Sequence, residues 1–525
     1  MFTGVSETVN RTDSFARGLS ASWFAAFITV IYGLVSVPLA LHYLSVEKFG
    51  LLMLLLQLAG YFTLIEIGMS GATARLLIDY KDTSSTDSYG SLILTASLVF
   101  AIQAVIILLL GLFGAPRIVM LLGTPLHLQE DATFLLRWLC GCFAFVTTFK
   151  IFGSVLYANK RLDLINVFSS VGVLVGLALM ALVLASGGNL QGLFVVFVVQ
   201  ALLTVIFQGL GCWWFRLLPQ PGQWGRPTAA HFRETFLYAK DVFFFNVSNQ
   251  ILEASQLIIV SRTMGLTAAA MWSVGTKVFN LLHQVLTKIE GTAVVFFSEM
   301  MVRGEHALLK KRFQQIYEIS AGAAVASLAV AVAVNKPFVT AWAEPSLAWP
   351  ISLSALMAIA IFLNVVTRCH IDFILNSKKL LALRYIYLIE AVAFVSAAFL
   401  LTAVFGLYGV ILAAISCMIF VRMGYTSWRI SKYFHIPKRL VYWDWLKRPV
   451  LSSLVILPFV ISSPWITAGF ASPLAQTAVA ATWTGVPALS VLSFLALHEE
   501  TSMVLRRQVV GVAMRLVHRL RSAFQ

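Results

Sequence analysis

The chain has 525 residues, of which 59% are hydrophobic and 12% charged, and its net charge is +15. A soluble chain would be near half apolar with about a quarter of its residues charged, so a soluble enzyme, a disordered chain and a coiled coil are excluded and lipid must solvate the apolar excess. Positive charge beside membrane spans marks the cytoplasmic side, so it implies a membrane surface and no nucleic acid.

Arg11 and Arg17 precede the first apolar segment, which is too long for a signal-peptide core and reads as a retained anchor. Fourteen apolar segments follow one another, each bounded by charge, Pro or Gly. They run about 18–43, 50–74, 89–113, 133–157, 164–185, 190–215 and 236–261, then 269–300, 316–334, 350–375, 385–405, 408–428, 449–466 and 474–497. At about 20 residues per span they take up most of the chain, leaving no room for a separate soluble domain. Each is predicted helical, because an open strand leaves backbone groups unpaired in lipid. The expected fold is an all-α polytopic membrane protein with about 14 transmembrane helices. With the N-terminus inside, 28 of the 38 Lys and Arg fall in cytoplasmic segments and about five outside. That asymmetry puts both termini in the cytoplasm. The five cysteines, Cys140, Cys142, Cys212, Cys369 and Cys417, all lie in apolar segments, and their odd number speaks against a disulfide framework or a metal site.

Turn motifs recur. Asn159-Lys160-Arg161-Leu162 and Ser377-Lys378-Lys379-Leu380 lie 218 residues apart, as do Gly188 and Gly406. Pro116 and Pro125 match Pro337 and Pro345 at offsets of 221 and 220. The order predicts two six-helix halves, 1–215 and 216–430, followed by two additional helices in 431–500 and a tail, 501–525. Six is even, so both halves share one orientation, and a midplane site between them is expected. In the tail, Leu505, Val509, Val512, Leu516, Leu520 and Phe524 share one helical face and Arg507, Arg515, His518 and Arg519 the other. That is a basic amphipathic helix on the anionic inner surface. Aromatics mixed with Lys and Arg over 429–448, including Tyr433, Tyr442, Trp443 and Trp445, read as an interfacial anchor.

An ionisable residue near the bilayer centre costs several kcal/mol unless it faces protein or water, so the intramembrane polar residues carry the functional information. Glu66 in the second span is either a proton or cation site or a counter-ion for Lys150 in the fourth. Arg137 and Arg262 lie near span ends and can snorkel. The seventh span carries Asn246, Asn249, Glu253 and Gln256, spaced 3, 4 and 3. The eighth carries Lys277, Asn280, Gln284 and Lys288, spaced 3, 4 and 4, which fall within about 80° of one another on a helix. His283 and Glu290 lie on a neighbouring face. Two lysines on one wet face suit an anionic ligand. A tight turn joins these two spans, so antiparallel packing would set both stripes on one cavity wall, with Glu253 in reach of a lysine. The competing reading is a set of internal salt bridges holding the bundle together. Arg368 and Asp372 form an i,i+4 pair near the inner end of the tenth span and read as structural. No Walker-type glycine loop, HExxH or GxSxG is present, and no loop is long enough for a catalytic domain. A secondary transporter with no cofactor, not an enzyme, is the simplest class.

The run Leu44–Gly50, with Glu47, Lys48 and Phe49, followed by Ile65-Glu66-Ile67-Gly68-Met69 and Ala72–Arg75, resembles the opening of the bacterial polysaccharide flippases. Tyr157–Arg161 resembles the family's loop after the fourth span, Ile258–Gly265 with Val274–Lys277 its hairpin between spans seven and eight, and Asn335–Trp342 its segment before span ten. The acidic residue of the second-span motif is often Asp in that family and is Glu66 here. The resemblance covers about 1–430 and implies the MOP (multidrug/oligosaccharidyl-lipid/polysaccharide) exporter superfamily, Wzx-like branch. It further implies a bacterial inner-membrane protein that turns a polyprenyl-diphosphate-linked oligosaccharide from the inner to the outer leaflet by alternating access. Possible products are O-antigen of lipopolysaccharide, capsule or exopolysaccharide, and the polysaccharide polymerase machinery is an implied partner. On that reading Lys277, Lys288 and Lys150 hold the diphosphate, while Asn280, Gln284, Asn249 and Gln256 bond sugar hydroxyls. Glu66 and Glu253 couple the cycle to a proton or sodium ion. The alternative is a cation-coupled multidrug exporter of the same superfamily, which would want acids in the cavity and few lysines. A glycan polymerase would need a large outer loop, and other six-plus-six symporters a glycine-and-arginine loop at 75–88; neither is present.

Overall fold

The computed structural model describes residues 3–66, 68–81, 86–377, 382–494 and Leu497. The expected tail helix and the Lys378-Lys379-Leu380 turn lie outside the described residues. Among the described residues all regular structure is helical. The chain forms two compact units, Met1–Ala270 and Met271–Gln525.

The first unit holds α1 (Thr3–Tyr43), α2 (Val46–Ile65), α3 (Met69–Lys81), α4 (Thr86–Leu109) and α5 (Ala115–Leu121). It continues with α6 (Gln129–Thr148), α7 (Ile151–Ala158), α8 (Leu162–Ala185), α9 (Leu190–Trp214) and α10 (Ala229–Met264). Next, α11 (Leu266–Gly275) crosses the boundary between the units. The second unit then has α12 (Lys277–Arg303), α13 (His306–Trp342), α14 (Ile351–Asn376), α15 (Leu383–Phe405), α16 (Leu407–Cys417), α17 (Gly424–Phe434), α18 (Lys447–Thr467) and α19 (Pro473–Phe494).

Among the described residues, twelve helical stretches are long and apolar enough to span a membrane, against the fourteen expected. The two others are α10 and α12, with 36 and 27 residues. They have the length of a span, but the amides and charges of their polar stripes dilute their apolar content. The spanning helices show a lipid-facing side directly. On α4, Leu98, Ile102, Val105 and Leu109 are exposed at helical spacing, while Ile93, Phe100, Ala104 and Ile107 on the other faces are buried. A water-facing protein would not present such a stripe; a bilayer solvates it.

In the first unit α1 packs on α8, α4 on α6, and α3 on α7, while α10 packs on α2, α3 and α4. The contact between α2 and α10 is close, since a side chain at Gly60 would collide with Gln250. The hydroxyls of Tyr61 and Ser255 hydrogen-bond across it at 2.7 Å. In the second unit α13 is central and packs on α12, α14, α18 and α19. The last two helices are thus built into the second unit.

The aromatic segment after α17 is packed differently from expectation. Trp445 is buried, with its ring 6.0 Å from both Phe313 and Tyr317 of α13, and only Trp443 is well exposed. The segment turns its aromatics into the core of the second unit because α13 and α14 offer Phe313, Tyr317 and Phe373 as partners. Trp445 therefore docks internally, while Trp443 stays exposed. We expect Trp445→Ala to cost about 3–5 kcal/mol, the usual range for emptying a buried aromatic site, and Trp443→Ala to stay within about 0.5 kcal/mol. Thermal unfolding of the detergent-purified variants checks both, and equal melting temperatures would contradict this packing.

Candidate functional site

The first unit contains two interrupted helices, and each interruption carries a charge. α2 starts under Ser45, whose hydroxyl accepts a bond from the Lys48 N–H, and stops at Ile65. Glu66 follows, and Gly68 takes the left-handed conformation at φ 71°, which favours glycine, before α3 restarts at Met69. Likewise α6 ends at Thr148 and α7 begins at Ile151, leaving Phe149 and Lys150 between them.

These two breaks meet. Lys150 Nζ lies 2.7 and 2.6 Å from Glu66 Oε1 and Oε2. Ser70 Oγ donates to Glu66 Oε2 at 3.3 Å, and Gln103 Nε2 donates to the Glu66 carbonyl at 3.2 Å. The Glu66 side chain is 10% exposed and that of Lys150 36%. The carboxylate is therefore held inside, while the ammonium reaches open space. One cavity of about 280 Å³ is lined by Glu66, Ser70, Lys150, Phe243, Asn249 and Gln250. A second, of about 700 Å³, is lined by Ser70, Arg75, Lys150, Ser154, Tyr157 and Gln208. Lys150 and Ser70 stand on both walls.

The predicted site residues divide between the two units. Glu66, Lys150 and Asn249 come together at the first cavity. Asn249 Nδ2 donates to Glu253 at 3.0 Å, so Glu253, which is exposed, has its bonded partner one turn back on its own helix. Gln256 is half-buried and donates one amide hydrogen to the Leu252 carbonyl at 3.2 Å, within α10. The side chain of Asn246 lies outside the described residues.

In the second unit the stripe of the eighth span begins at a further interruption. The tight turn falls at Gly265 (φ 88°), α11 follows, and Thr276 separates it from α12, whose first residue is Lys277. Lys277 is half-buried, whereas Asn280, Gln284 and Lys288 are exposed. Within this unit, and among the described residues, neither lysine makes an ion pair. His283 Nε2 and Asn364 Oδ1 form a 3.0 Å hydrogen bond between α12 and α14. The expected pair of Arg368 with Asp372 is present at 3.1 Å.

Sequence reasoning passed over several polar groups. Gln250 and Gln208 line the two cavities, but an uncharged amide in an apolar span gives a weak signal. Arg422 and Glu390, both buried, form a 2.9 Å ion pair. The signal was available, since each is a charge inside an apolar segment, but they lie 32 residues apart and on different helices.

Residues 15–301, more than half of the chain, match the family model described as "polysaccharide biosynthesis protein". No curated protein matches. Among solved structures, the chain is similar to the lipid II flippase MurJ in an inward closed conformation, with 14% identity over 94% of this chain and 99% of that one, at a TM-score of 0.68. It is also similar to an inward-facing multidrug resistance MATE family transporter of the MOP superfamily. There the identity is 14% over 77% of this chain and 95% of that one, at a TM-score of 0.65. At such identity these likenesses establish the fold.

Contacting charges that share one hydrogen-bonded site are energetically coupled. A double-mutant cycle of Glu66→Gln and Lys150→Gln, read by thermal or denaturant unfolding, is expected to give a coupling energy of about 0.5–3 kcal/mol. Additive effects would mean that the two breaks are held together by something else.

Proposed function

Because the chain belongs to the polysaccharide biosynthesis protein family, we propose that it flips a polyprenyl-diphosphate-linked oligosaccharide across the bacterial inner membrane. Movement is from the inner to the outer leaflet, and both termini lie in the cytoplasm. The observation that carries this reading is where the intramembrane lysines stand. Lys150 and Lys277 each sit at a helix interruption, and Lys277 and Lys288 make no ion pair within their unit among the described residues. Interrupted helices with charges at the break are the form that binding sites take inside membranes. A diphosphate cannot cross hydrocarbon unpaired, and ammonium groups in a wet cavity offset its desolvation.

Two six-helix halves, 1–215 and 216–430, alternate access to the substrate. Lys277 and Lys288 hold the diphosphate. In the first unit Lys150 offers a further ammonium to an anion, with Glu66 as its resident counter-ion while no anion is bound. Asn249, Asn280, Gln284 and Gln256 offer amides to sugar hydroxyls. The polyprenyl chain stays in lipid.

The test is flipping in liposomes of a fluorescent polyprenyl-diphosphate oligosaccharide, followed by a membrane-impermeant reagent. Two charge-assisted contacts at about 1.5 kcal/mol each correspond to a slowing of about a hundredfold in Lys277→Ala/Lys288→Ala. A double variant that flips at the wild-type rate would remove the anion role of these lysines. Wild-type protein that moves no lipid-linked glycan, yet exports organic cations, would favour the multidrug exporter instead.

A further inference from the structure

The second unit contains a carboxyl group that neither the fold nor the lysine stripe uses. Glu290 of α12 is 1% exposed, and among the described residues both of its carboxyl oxygens are buried without a hydrogen-bond partner. Nor are the hydroxyls of Tyr317 and Ser320 on α13 partnered, although both are buried. The charges that act on Glu290 come from Asp372 and Arg368 of α14. Tyr317 of α13 and Cys369 of α14 are further titratable groups around it, and buried His370 of α14 stacks on Tyr317 at 4.9 Å. Next to Tyr317, Glu318 is occupied by Gln314 at 2.8 Å. On α12 itself, Lys288 is exposed and His283 is bonded to Asn364. Arg368 meanwhile is bonded to Asp372 at 3.1 Å, with its side chain 41% exposed.

An ionised carboxylate buried with no donor is not stable in such a place; the neutral acid is. Burial without a partner therefore means that Glu290 carries a proton in this conformation. A metal cation fits less well. Among the described residues no three His, Cys, Asp or Glu side chains converge to hold one, and the Arg368 guanidinium would repel it. We propose that Glu290 is the proton-binding site that couples this unit to the proton gradient, an inference that rests on the transport reading above. With the proton on, Glu290 is neutral and Arg368 stays with Asp372. With the proton released to water, the Glu290 carboxylate must gain either hydration or the Arg368 guanidinium. Hydration requires α12 and α14 to part, and the guanidinium can come only by leaving Asp372. Proton release thus disfavours the present packing and favours an opened one.

The test starts without substrate. Infrared titration of the full-length protein in liposomes should show the carbonyl band of a buried carboxylic acid, lost on raising pH and absent in Glu290→Gln. Asp372→Asn should move that loss to lower pH, since it removes a like charge and frees Arg368 for the carboxylate; this variant retains Glu290 and reads the site even if Glu290→Gln fails to fold. In the flipping assay a proton gradient should accelerate the wild type and leave Glu290→Gln at its gradient-free rate. A band that Glu290→Gln retains, no pH-sensitive band in the wild type, or equal gradient acceleration of both proteins would overturn the proposal. If the band depends on Glu290 but no lipid-linked glycan is flipped, the proton site stands and the substrate reading fails. If glycan flips and the gradient acts equally on both proteins, the substrate reading stands and the proton site fails.

Discussion

A charge inside hydrocarbon costs several kcal/mol unless it finds a partner, water or an opposite charge, and the arrangement of both units follows from meeting that cost at a few places. In the first unit two helices stop where their charges lie, and the stops meet in the bond between Glu66 and Lys150. An uninterrupted helix would spend its backbone groups on itself and leave the side chains to find partners alone. An interrupted one frees backbone carbonyls and small side chains as well. Gln103 on the Glu66 carbonyl and Ser70 on its carboxylate are the result. Lys150 of the ion pair and Ser70 stand on the walls of both cavities.

The second unit meets the constraint in three different ways. Arg422 and Glu390 pair in the interior, and breaking that pair would leave a buried charge. Arg368 and Asp372 pair with one partner reaching open space. Glu290 has no hydrogen-bond partner among the described residues. Alongside these, the stripe of α12 keeps Lys288, Gln284 and Asn280 exposed. Charges that are paired, half-paired and unpaired within one unit are what a protein needs if some serve packing and others answer to a ligand or a proton.

The low hydropathy of α10 and α12 belongs to the same pattern. They are the two long helices that composition alone does not mark as spans, and they are the ones with polar stripes. A helix that faces only lipid, like the outer side of α4, has no reason to carry amides. A helix that is polar along one side is tolerated in a membrane only where that side meets protein or water. Family membership rests on residues 15–301, a stretch that includes both of these helices up to Met301.

Much of this protein was legible in the chain itself. Apolar runs of span length fix helices in lipid, because no other structure satisfies the backbone there, and the helical periodicity of Lys277, Asn280, Gln284 and Lys288 fixes one face. The possible pairing of Glu66 with Lys150 was also readable, since each is a lone charge of opposite sign in an apolar span. What the chain could not tell is which alternative holds. Counter-ion or free site, lipid-facing or core-facing aromatic, partnered or orphaned carboxyl: each depends on the distance between residues far apart in sequence. Trp445 reads as an interfacial residue until α13 supplies Phe313 and Tyr317, and Glu290 reads as a minor feature of a helix face until α13 and α14 close over it without offering a donor. Local spacing determines which face a residue is on; only tertiary packing decides what that face meets.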